Sequence, residues 1–413
     1  MDSHVKLDEK LWSALPLELL ETTLAYLPFS SFYRFRCVCK RWNSLLSCEG
    51  FLKHCKSLPL RTEPCILYRK TDSQVFSDMD PHACMLLHHD STRGACSKID
   101  LQFLKEHLDT SNGGIRHKVY AADGGLLLIA SNQRDQHERF SVCNPLLKRW
   151  RQLPILPAAP YAHCQIRRLV FDKLTKAYKV IVVTRRDIPE MGCVGRTFVY
   201  DSISRCWNET GNIPRQPWEV MDQTVVCGNV MYVMVYGTGS YLDETIMMAY
   251  HIGSGVWSEV RIQPPSLSIW TRQLFMTRKI LVESRGRVFL VIAAGYNYPF
   301  SIALWELKMG STSAEWKELA ASIPDQLINI IFSDFDLDDY EMTDRWWWWA
   351  MGFGDYILLK WHDVTKTKKP RTVVYDLLQG SWQRGANITW PVGLYDYQLD
   401  HFSVGSLSLG MEA

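Results

Sequence analysis

The sequence predicts a small helical unit followed by a large all-β domain that is built from repeated units. Three observations support this fold class. Residues 13–55 place apolar side chains at the three- and four-residue steps of amphipathic helices. The rest of the chain alternates short β-branched and aromatic runs with Gly, Pro, Asn and Asp turns. A tryptophan recurs within that part at intervals of 50 to 66 residues.

Length and composition set the limits for this division. A chain of 413 residues is too long for one small core, so two domains, or one large domain with an appendage, are expected. The 47% hydrophobic and 22% charged content is ordinary for a folded protein. A net charge of +2 creates no field that would recruit nucleic acid or an anionic membrane surface.

The sequence also bears on the cellular compartment. No segment has the ~20 unbroken apolar residues that a membrane helix needs, and the first twelve residues carry charges where a signal peptide has an apolar core. We therefore expect an intracellular protein, and the twelve cysteines are expected to be reduced thiols.

The first helix is predicted to begin at Pro16, because a missing N–H costs nothing in the first turn. Leu20, Leu24 and Leu27 follow as one apolar stripe, and Pro28 ends the run. Ser30 can cap a second helix. Apolar residues then recur over about four turns, in one helix or two abutting helices: Phe32, Phe35, Val38, Cys39, Trp42, Leu45 and Leu46.

Two cysteines in this second segment raise the question of a metal or redox site. On a helix, Cys37 and Cys39 would lie about 200° apart around the axis, so the two thiols could not converge on one metal, and a disulfide between them would be strained. Lys40 and Arg41 flank the apolar stripe and are interpreted as solvated charges rather than nucleic-acid contacts. A unit of this size cannot bury all its apolar residues, which indicates a partner surface.

The stretch LPLELLETTLAYLP, followed by FYRFRCVCKRWNSLL and then FL, resembles the F-box motif. Two positions depart from the family pattern: Phe32, where leucine is usual, and Thr23, where many members have a β-branched aliphatic residue. The resemblance implies binding to the Skp-type adaptor of SCF (Skp–cullin–F-box) ubiquitin ligases and, through it, to cullin. It implies that these residues form or support the adaptor-binding face: Leu15, Pro16, Leu19, Leu24, Leu27, Val38 and Trp42. The alternative is that they only make a self-contained helical cap.

The repeated units of the β-rich part share one plan. Each has a strand, a polar turn and a strand that carries a tryptophan, namely Trp150, Trp207, Trp257, Trp316 and Trp382. A Gly or Asn turn leading into a buried strand precedes most of them. Such units are typical of four-stranded propeller blades, with the tryptophan wedged between blades. Five blades are visible, and residues 64–70 with the closing segment 397–407 predict a sixth; six is the estimate and seven is possible.

The repeats resemble degenerate kelch repeats, although most lack the double glycine. Together with the F-box, they are similar to plant F-box/kelch substrate receptors, and LWSALP, RCVCKR and LPLR are similar to the floral-organ-identity F-box proteins. The predicted domains are an F-box over 10–56, a linker over 57–64 and a propeller over 65–410. The implied function is that of a non-catalytic SCF substrate receptor in the nucleus and cytoplasm, without cofactors and without direct contact to nucleic acid or membrane.

Two alternatives remain for the function. One is a transcriptional cofactor that holds a DNA-binding protein, such as a transcription factor, through the propeller. The other is a propeller enzyme, but no catalytic motif supports it.

Four other segments carry candidate chemistry. His82, Cys84, His88, His89 and Cys96 form the best metal-like cluster, and we interpret them as side chains of a strand or loop. The segment 334–341 lacks the glycine of a calcium loop and is expected to be an acidic surface loop. Segment 366–371, KTKKPR, is interpreted as a charged hairpin tip rather than a nuclear signal. Trp346, Trp347, Trp348 and Trp349 are expected to pack in the core, and they are also the best candidates for contacting a target.

Overall fold

The computed structural model describes residues 15–27, 38–57, 63–70, 84–90, 95–100, 103–104, 115–133, 138–158, 163–188, 192–213, 218–237, 245–260, 277–294, 301–309, 314–320, 323–332, 346–363, 371–384 and 397–407. For residues 63–70, 84–90, 95–100, 346–349 and 397–407, the description covers the backbone and its strand pairing.

The N-terminal unit is helical, as predicted. Helix α1 spans Leu17–Ala25, the short α2 spans Lys40–Asn43 and continues into a 3₁₀ turn at Ser44–Ser47, and α3 spans Glu49–Ser57. Pro16 immediately precedes α1 with extended backbone angles, so the helix begins one residue later than predicted. The core of the unit consists of Leu20, Leu24, Leu45 and Phe51, with Trp42 packed against it.

The prediction of the second helical segment is wrong at Val38 and Cys39, although the segment is helical from Lys40 to Ser47. Cys39 is extended, with φ −156° and ψ 164°, and the helix begins only at Lys40. Cys39 is exposed and does not lie on an apolar stripe. The helical separation of the Cys37 and Cys39 thiols therefore does not apply, and Cys37, Phe32, Phe35 and Ser30 lie outside the described residues. A periodic apolar pattern cannot locate a helix start, because extended residues before the helix can satisfy the same spacing.

The described strands form six four-stranded antiparallel sheets. The first contains β1 (Glu63–Lys70), β2 (Cys84–Asp90), β3 (Ala95–Asp100) and β24 (Tyr397–Leu407). The second contains β4 (Ile115–Asp123), β5 (Leu126–Gln133), β6 (Arg139–Asn144) and β7 (Arg149–Gln152). The third contains β8 (His163–Phe171), β9 (Tyr178–Ile188), β10 (Gly192–Asp201) and β11 (Cys206–Glu209).

The other three sheets follow the same order. The fourth contains β12 (Trp218–Cys227), β13 (Val230–Gly237), β14 (Thr245–His251) and β15 (Val256–Val260). The fifth contains β16 (Thr277–Ser284), β17 (Arg287–Ala294), β18 (Ser301–Met309) and β19 (Ala314–Ala320). The sixth contains β20 (Trp346–Phe353), β21 (Tyr356–Asp363), β22 (Arg371–Asp376) and β23 (Ser381–Arg384).

The sheets are arranged radially as a β-propeller. The contacts between innermost strands run from β24 to β4, β8, β12, β16 and β20 and return to β24. The first sheet is closed by the C-terminal strand, because β24 pairs antiparallel with β1 along the register from Glu63–Leu407 to Lys70–Tyr397. This is the pairing predicted from segments 64–70 and 397–407. It removes the free inner edge that an open sheet would leave.

The apolar core lies between neighbouring sheets. Separate clusters of buried side chains join the second and third, third and fourth, fourth and fifth, and fifth and sixth sheets. Each predicted tryptophan stands on the outermost strand of its sheet. The Trp207 indole N–H donates to the Pro154 carbonyl at 2.8 Å, and that of Trp257 donates to Thr197 Oγ1 at 2.9 Å. Both bonds reach the preceding sheet, so the predicted wedge is confirmed at these two positions.

Among the described residues, one α-helix interrupts the β domain, which the all-β prediction missed. Helix α4, Asp325–Phe332, connects β19 to β20, and Ile328 packs into the cluster between the fifth and sixth sheets. Its eight residues were too short for a clear periodic signal beside the strands. None of the helices in the described part of the chain is long and apolar enough to cross a bilayer.

Candidate functional site

The residues predicted to bind an adaptor fall into two groups. Leu19 and Val38 are exposed, at 54% and 62%, and Pro16 is also exposed. The others contribute to the interior: Leu24 is only 3% exposed, and Leu15, Leu27 and Trp42 are half-buried. The first group can touch a partner directly, whereas the second holds the helices that present it.

The exposed apolar side chains of the helical unit are numerous for its size. Besides Leu19 and Val38, the aromatic ring of Tyr26 is 45% exposed at the end of α1. Exposed apolar groups are unfavourable in water unless a partner covers them, so these three side chains are candidates for contact with a partner. The cluster of buried apolar residues beside them is small, which agrees with the surplus deduced from the sequence.

For the predicted tryptophan patch, the structure describes the position of the backbone. Residues 346–349 open β20, the innermost strand of the sixth sheet, and pair with Lys360 to Asp363 of β21. Their contact with a target remains a prediction, and the acidic segment 334–341 lies outside the described residues. Residues 366–370 of the predicted charged hairpin tip lie outside the described residues, and Arg371 begins β22, which pairs with β21.

The metal-like cluster falls in the first sheet. Cys84, His88 and His89 lie on β2 and Cys96 on β3, where Cys96 pairs with His89 in the strand register. His82 lies outside the described residues. In the part of the chain that the structure does describe, no group of His, Cys, Asp and Glu side chains is arranged to hold a metal ion.

A cavity of about 1110 Å³ lies at one end of the propeller axis. We call it the channel-end cavity. The turns between the first and second strands of the second to sixth sheets line it, together with parts of the third and fourth sheets near Asp201 and Ile252. Sequence reasoning did not find this site, because its lining residues come from five sheets that are far apart along the chain.

Three charged side chains occupy the inner part of the channel-end cavity. Asp123 ends β4, Arg168 lies on β8 and Glu283 lies on β16. Burial raises the pKa of Asp123, although the Phe171 N–H and the Arg168 guanidinium oppose this. Burial likewise raises the pKa of Glu283 and lowers that of Arg168. Charges that are desolvated in a cleft mark functional-site candidates.

The same turns join three pairs of neighbouring sheets by hydrogen bonds. Asp123 Oδ2 accepts a hydrogen bond from the Phe171 N–H at 2.8 Å. The Cys227 thiol donates to the Gly286 carbonyl at 2.9 Å, and the Ser284 hydroxyl donates to the Gly354 carbonyl at 2.8 Å. All three residues stand at the end of an innermost strand. A polar residue immediately before each turn was the signal in the sequence that could have identified these contacts.

The helical unit and the closed ring of sheets define an F-box protein with a β-propeller. The F-box domain family matches residues 12–54. The family described as "F-box protein At3g26010-like, beta-propeller" matches residues 76–333, which is more than half of the chain. The chain therefore belongs to that family.

Similar proteins come from Arabidopsis thaliana. F-box only protein 6 is 26% identical over 395 residues, which cover 94% of this chain and 72% of that protein. F-box/kelch-repeat protein At3g61590 is 26% identical, covering 75% of this chain and 72% of that protein. Protein UNUSUAL FLORAL ORGANS is also 26% identical, covering 76% and 68%. The predicted resemblance to plant F-box proteins, including the floral group, is confirmed.

Proposed function

We propose that this chain is the substrate-recognition subunit of an SCF-type ubiquitin ligase. The F-box binds a Skp-type adaptor, which links the chain to cullin, and the propeller binds a target protein for ubiquitination. The observation that carries the proposal is the exposure of Leu19 and Val38 on a unit that matches the F-box domain. Those two side chains, with Pro16 and the half-buried Trp42, form the proposed adaptor face, which Leu15, Leu24 and Leu27 support.

The proposed mechanism requires no bond-making residue in this chain. A receptor accelerates the reaction by holding the target close to the transferring enzyme, so the gain arises from proximity and orientation. A ring of rigid sheets suits this role, because a target held at one end of it has a defined position. We propose the receptor to be non-catalytic and to act in the nucleus and cytoplasm.

The finer features of the architecture belong to the same proposal. The six four-stranded sheets found among the described residues would be six blades of one propeller. The F-box would extend over residues 10–56 and the propeller over 65–410, joined by a linker at 57–64. The end of α3 at Ser57 and the start of β1 at Glu63 support these boundaries.

Capture of partners with and without proteasome inhibition tests the ligase role. The full chain and its Leu19→Glu variant would carry a proximity label in plant cells. We expect the wild type to label an adaptor and a cullin, and to label a set of proteins that accumulates when the proteasome is inhibited. The variant should keep the targets and lose the adaptor, because Leu19 lies on the helical unit. Targets whose abundance does not respond to the inhibitor would contradict the degradative role.

A further inference from the structure

The carboxylates and the cationic side chains of the channel-end cavity differ in how far the fold satisfies their hydrogen bonds. Its four carboxylates each accept at least one hydrogen bond from within the fold. Asp123 and Glu283 bind the backbone N–H groups of Phe171 and Gly286, both at 2.8 Å. Asp172 and Asp201 accept from the turns that they begin: from Leu174 N and Thr175 Oγ1, and from Ile203 N and Ser204 N.

The cationic side chains of the cavity form fewer hydrogen bonds within the fold than its carboxylates do. Arg285 pairs with Asp355 at 2.7 Å across two sheets. Arg168, Lys173 and Lys179 form neither a hydrogen bond nor an ion pair through their side chains within the described part of the molecule. Arg168 and Lys173 are attracted electrostatically to Asp123 and Glu283, and Lys179 to Asp172, without forming a hydrogen bond to them. A guanidinium has five N–H donors and each ammonium has three, so these three cations leave donors available to a ligand, beside carboxylates that also keep free lone pairs.

Apolar side chains stand beside these donors. Ile203 lines the cavity and is 71% exposed. Leu174 lies between the lining residues Lys173 and Thr175 and is 93% exposed. An exposed leucine and isoleucine at the edge of a cleft are typical of contacts with an apolar side chain of a partner.

We propose that the channel-end cavity binds an acidic segment of the target protein, whose carboxylates accept hydrogen bonds from Arg168, Lys173 and Lys179 while neighbouring apolar residues cover Leu174 and Ile203. The proposal rests on the receptor function proposed above and assigns the place and chemistry of target recognition. Carboxylates are preferred partners because charge-assisted hydrogen bonds to Arg and Lys are stronger than neutral ones.

The charge balance of the cavity favours a peptide over a nucleic acid. Its lining contains four cationic and four carboxylate side chains, so it has no formal net charge. Binding to a phosphate backbone depends on an excess of positive charge. Short-range hydrogen bonds to a few carboxylates, combined with apolar contacts, need no such excess.

Fluorescence anisotropy on the purified full chain tests the proposal. The probe is a short labelled peptide of alternating glutamate and leucine, and the comparison peptide carries lysine in place of glutamate. We expect the glutamate peptide to bind more tightly. Arg168→Met should weaken its binding about tenfold, since one charge-assisted interaction is lost. The exposed Lys317 on β19, outside the cavity lining, provides the control variant Lys317→Ala, which should bind as the wild type does.

A second variant shows whether weaker binding by Arg168→Met results only from misfolding. Arg168 lies inside the fold, whereas Lys173 is exposed in a turn, so Lys173→Ala should fold normally and weaken the glutamate peptide severalfold. Equal or tighter binding of the lysine peptide, competition by duplex DNA alone, or unchanged binding by both variants would overturn the proposal. If the folded wild type binds no glutamate peptide but still captures the Skp-type adaptor, only this site is refuted and the receptor function stands.

Discussion

In the second and sixth sheets, a polar residue six positions before the tryptophan shapes the outermost hairpin. Asn144 Oδ1 accepts hydrogen bonds from Leu146 N and Leu147 N, at 2.9 and 3.1 Å. Asp376 Oδ1 does the same for Leu378 N and Gln379 N, both at 2.9 Å. Such Asx turns reverse the chain at a fixed length. The tryptophan that follows is therefore delivered to the outermost strand at a constant distance.

Gly124 and Gly228 give a matched test of the innermost turns. Both have φ +58°, which L side chains rarely adopt. A Cβ on Gly228 would meet nothing within 4 Å, whereas on Gly124 it would lie 2.2 Å from the Phe171 ring. We expect Gly228→Ala to cost about 1 kcal/mol of unfolding free energy and Gly124→Ala to cost about 1–3 kcal/mol more. Chemical denaturation measures both, and equal losses would contradict this packing.

At the residue scale, the sequence predicts residues that recur in the same local pattern. The five tryptophans were found in this way, because each occupies the same place in its sheet. The role of Asp123 was not predictable, because its partner Phe171 is 48 residues away and belongs to another sheet. A contact between a side chain and a distant backbone N–H leaves no local pattern.

Among the elements, helix α1 contains one residue that is expected to stabilise the fold and another that is expected to bind the adaptor. Leu24 is buried in the core of the helical unit, while Leu19 of the same helix is exposed. Leu24→Ala should destabilise the unit by about 2–5 kcal/mol. Leu19→Ala should change stability by less than about 0.5 kcal/mol and weaken adaptor binding about tenfold. Amide hydrogen exchange in residues 17–57 measures the first effect and adaptor titration the second.

Comparison of Leu19→Ala with Leu24→Ala distinguishes a loss of stability from a loss of adaptor binding. If Leu19→Ala increases hydrogen exchange as much as Leu24→Ala does, Leu19 belongs to the core and not to the partner surface. If neither variant affects adaptor binding, the assigned face of α1 is wrong.

The pairing of β17 with β18 includes a carboxylate that links stability to pH. Glu306 accepts hydrogen bonds from Arg287 Nε and Lys308 Nζ, both at 2.6 Å. Burial alone would raise the pKa of Glu306, but the bonds from Arg287 and Lys308 outweigh it and the pKa is lowered. Its stabilising contribution is therefore present above the unfolded value of 4.5 and is lost as the pH falls through the lower, folded value.

Thermal unfolding between pH 7 and pH 3 measures this contribution. The stability advantage of the wild type over Glu306→Gln should shrink once the pH falls below about 4.5. The exposed Glu315 of β19 provides the control, since Glu315→Gln should follow the wild type across the range. An advantage over Glu306→Gln that is independent of pH would show that the carboxylate is not stabilised by its neighbours.

For the elements, the sequence predicts strands better than short helices. The strands alternate with turn residues, which limits their length and position. The region before α2 misled the prediction, because Val38 and Cys39 continue the apolar spacing although their backbone is not helical. Helix α4 was missed because it has eight residues, about two turns.

Over the whole molecule, the C-terminal strand closes the ring. Strand β24 supplies the innermost strand of the first sheet and contacts both β4 and β20. Deletion of residues 397–413 should expose the edge of β1 and lower the unfolding midpoint by about 5 °C or more. Deletion of residues 408–413 alone retains β24 and is the matched control. Equal midpoints for the two truncated chains would contradict closure by this strand.

The sequence predicts the overall plan of the molecule but not its cavity. The strands at the two ends of the β domain, β1 and β24, could be recognised, since both have the alternation of paired strands. The channel-end cavity exists only after five sheets are brought around one axis. Its Asp123, Arg168 and Glu283 are separated by 45 and 115 positions, so no spacing in the sequence could connect them.

Titration of the purified full chain with a purified Skp-type adaptor tests the central claim most directly. Calorimetry should show saturable binding with one adaptor per chain, and Leu19→Ala should weaken this binding while the propeller remains folded. Absence of binding between the adaptor and a correctly folded wild-type chain would contradict the assignment of this protein as an SCF substrate receptor.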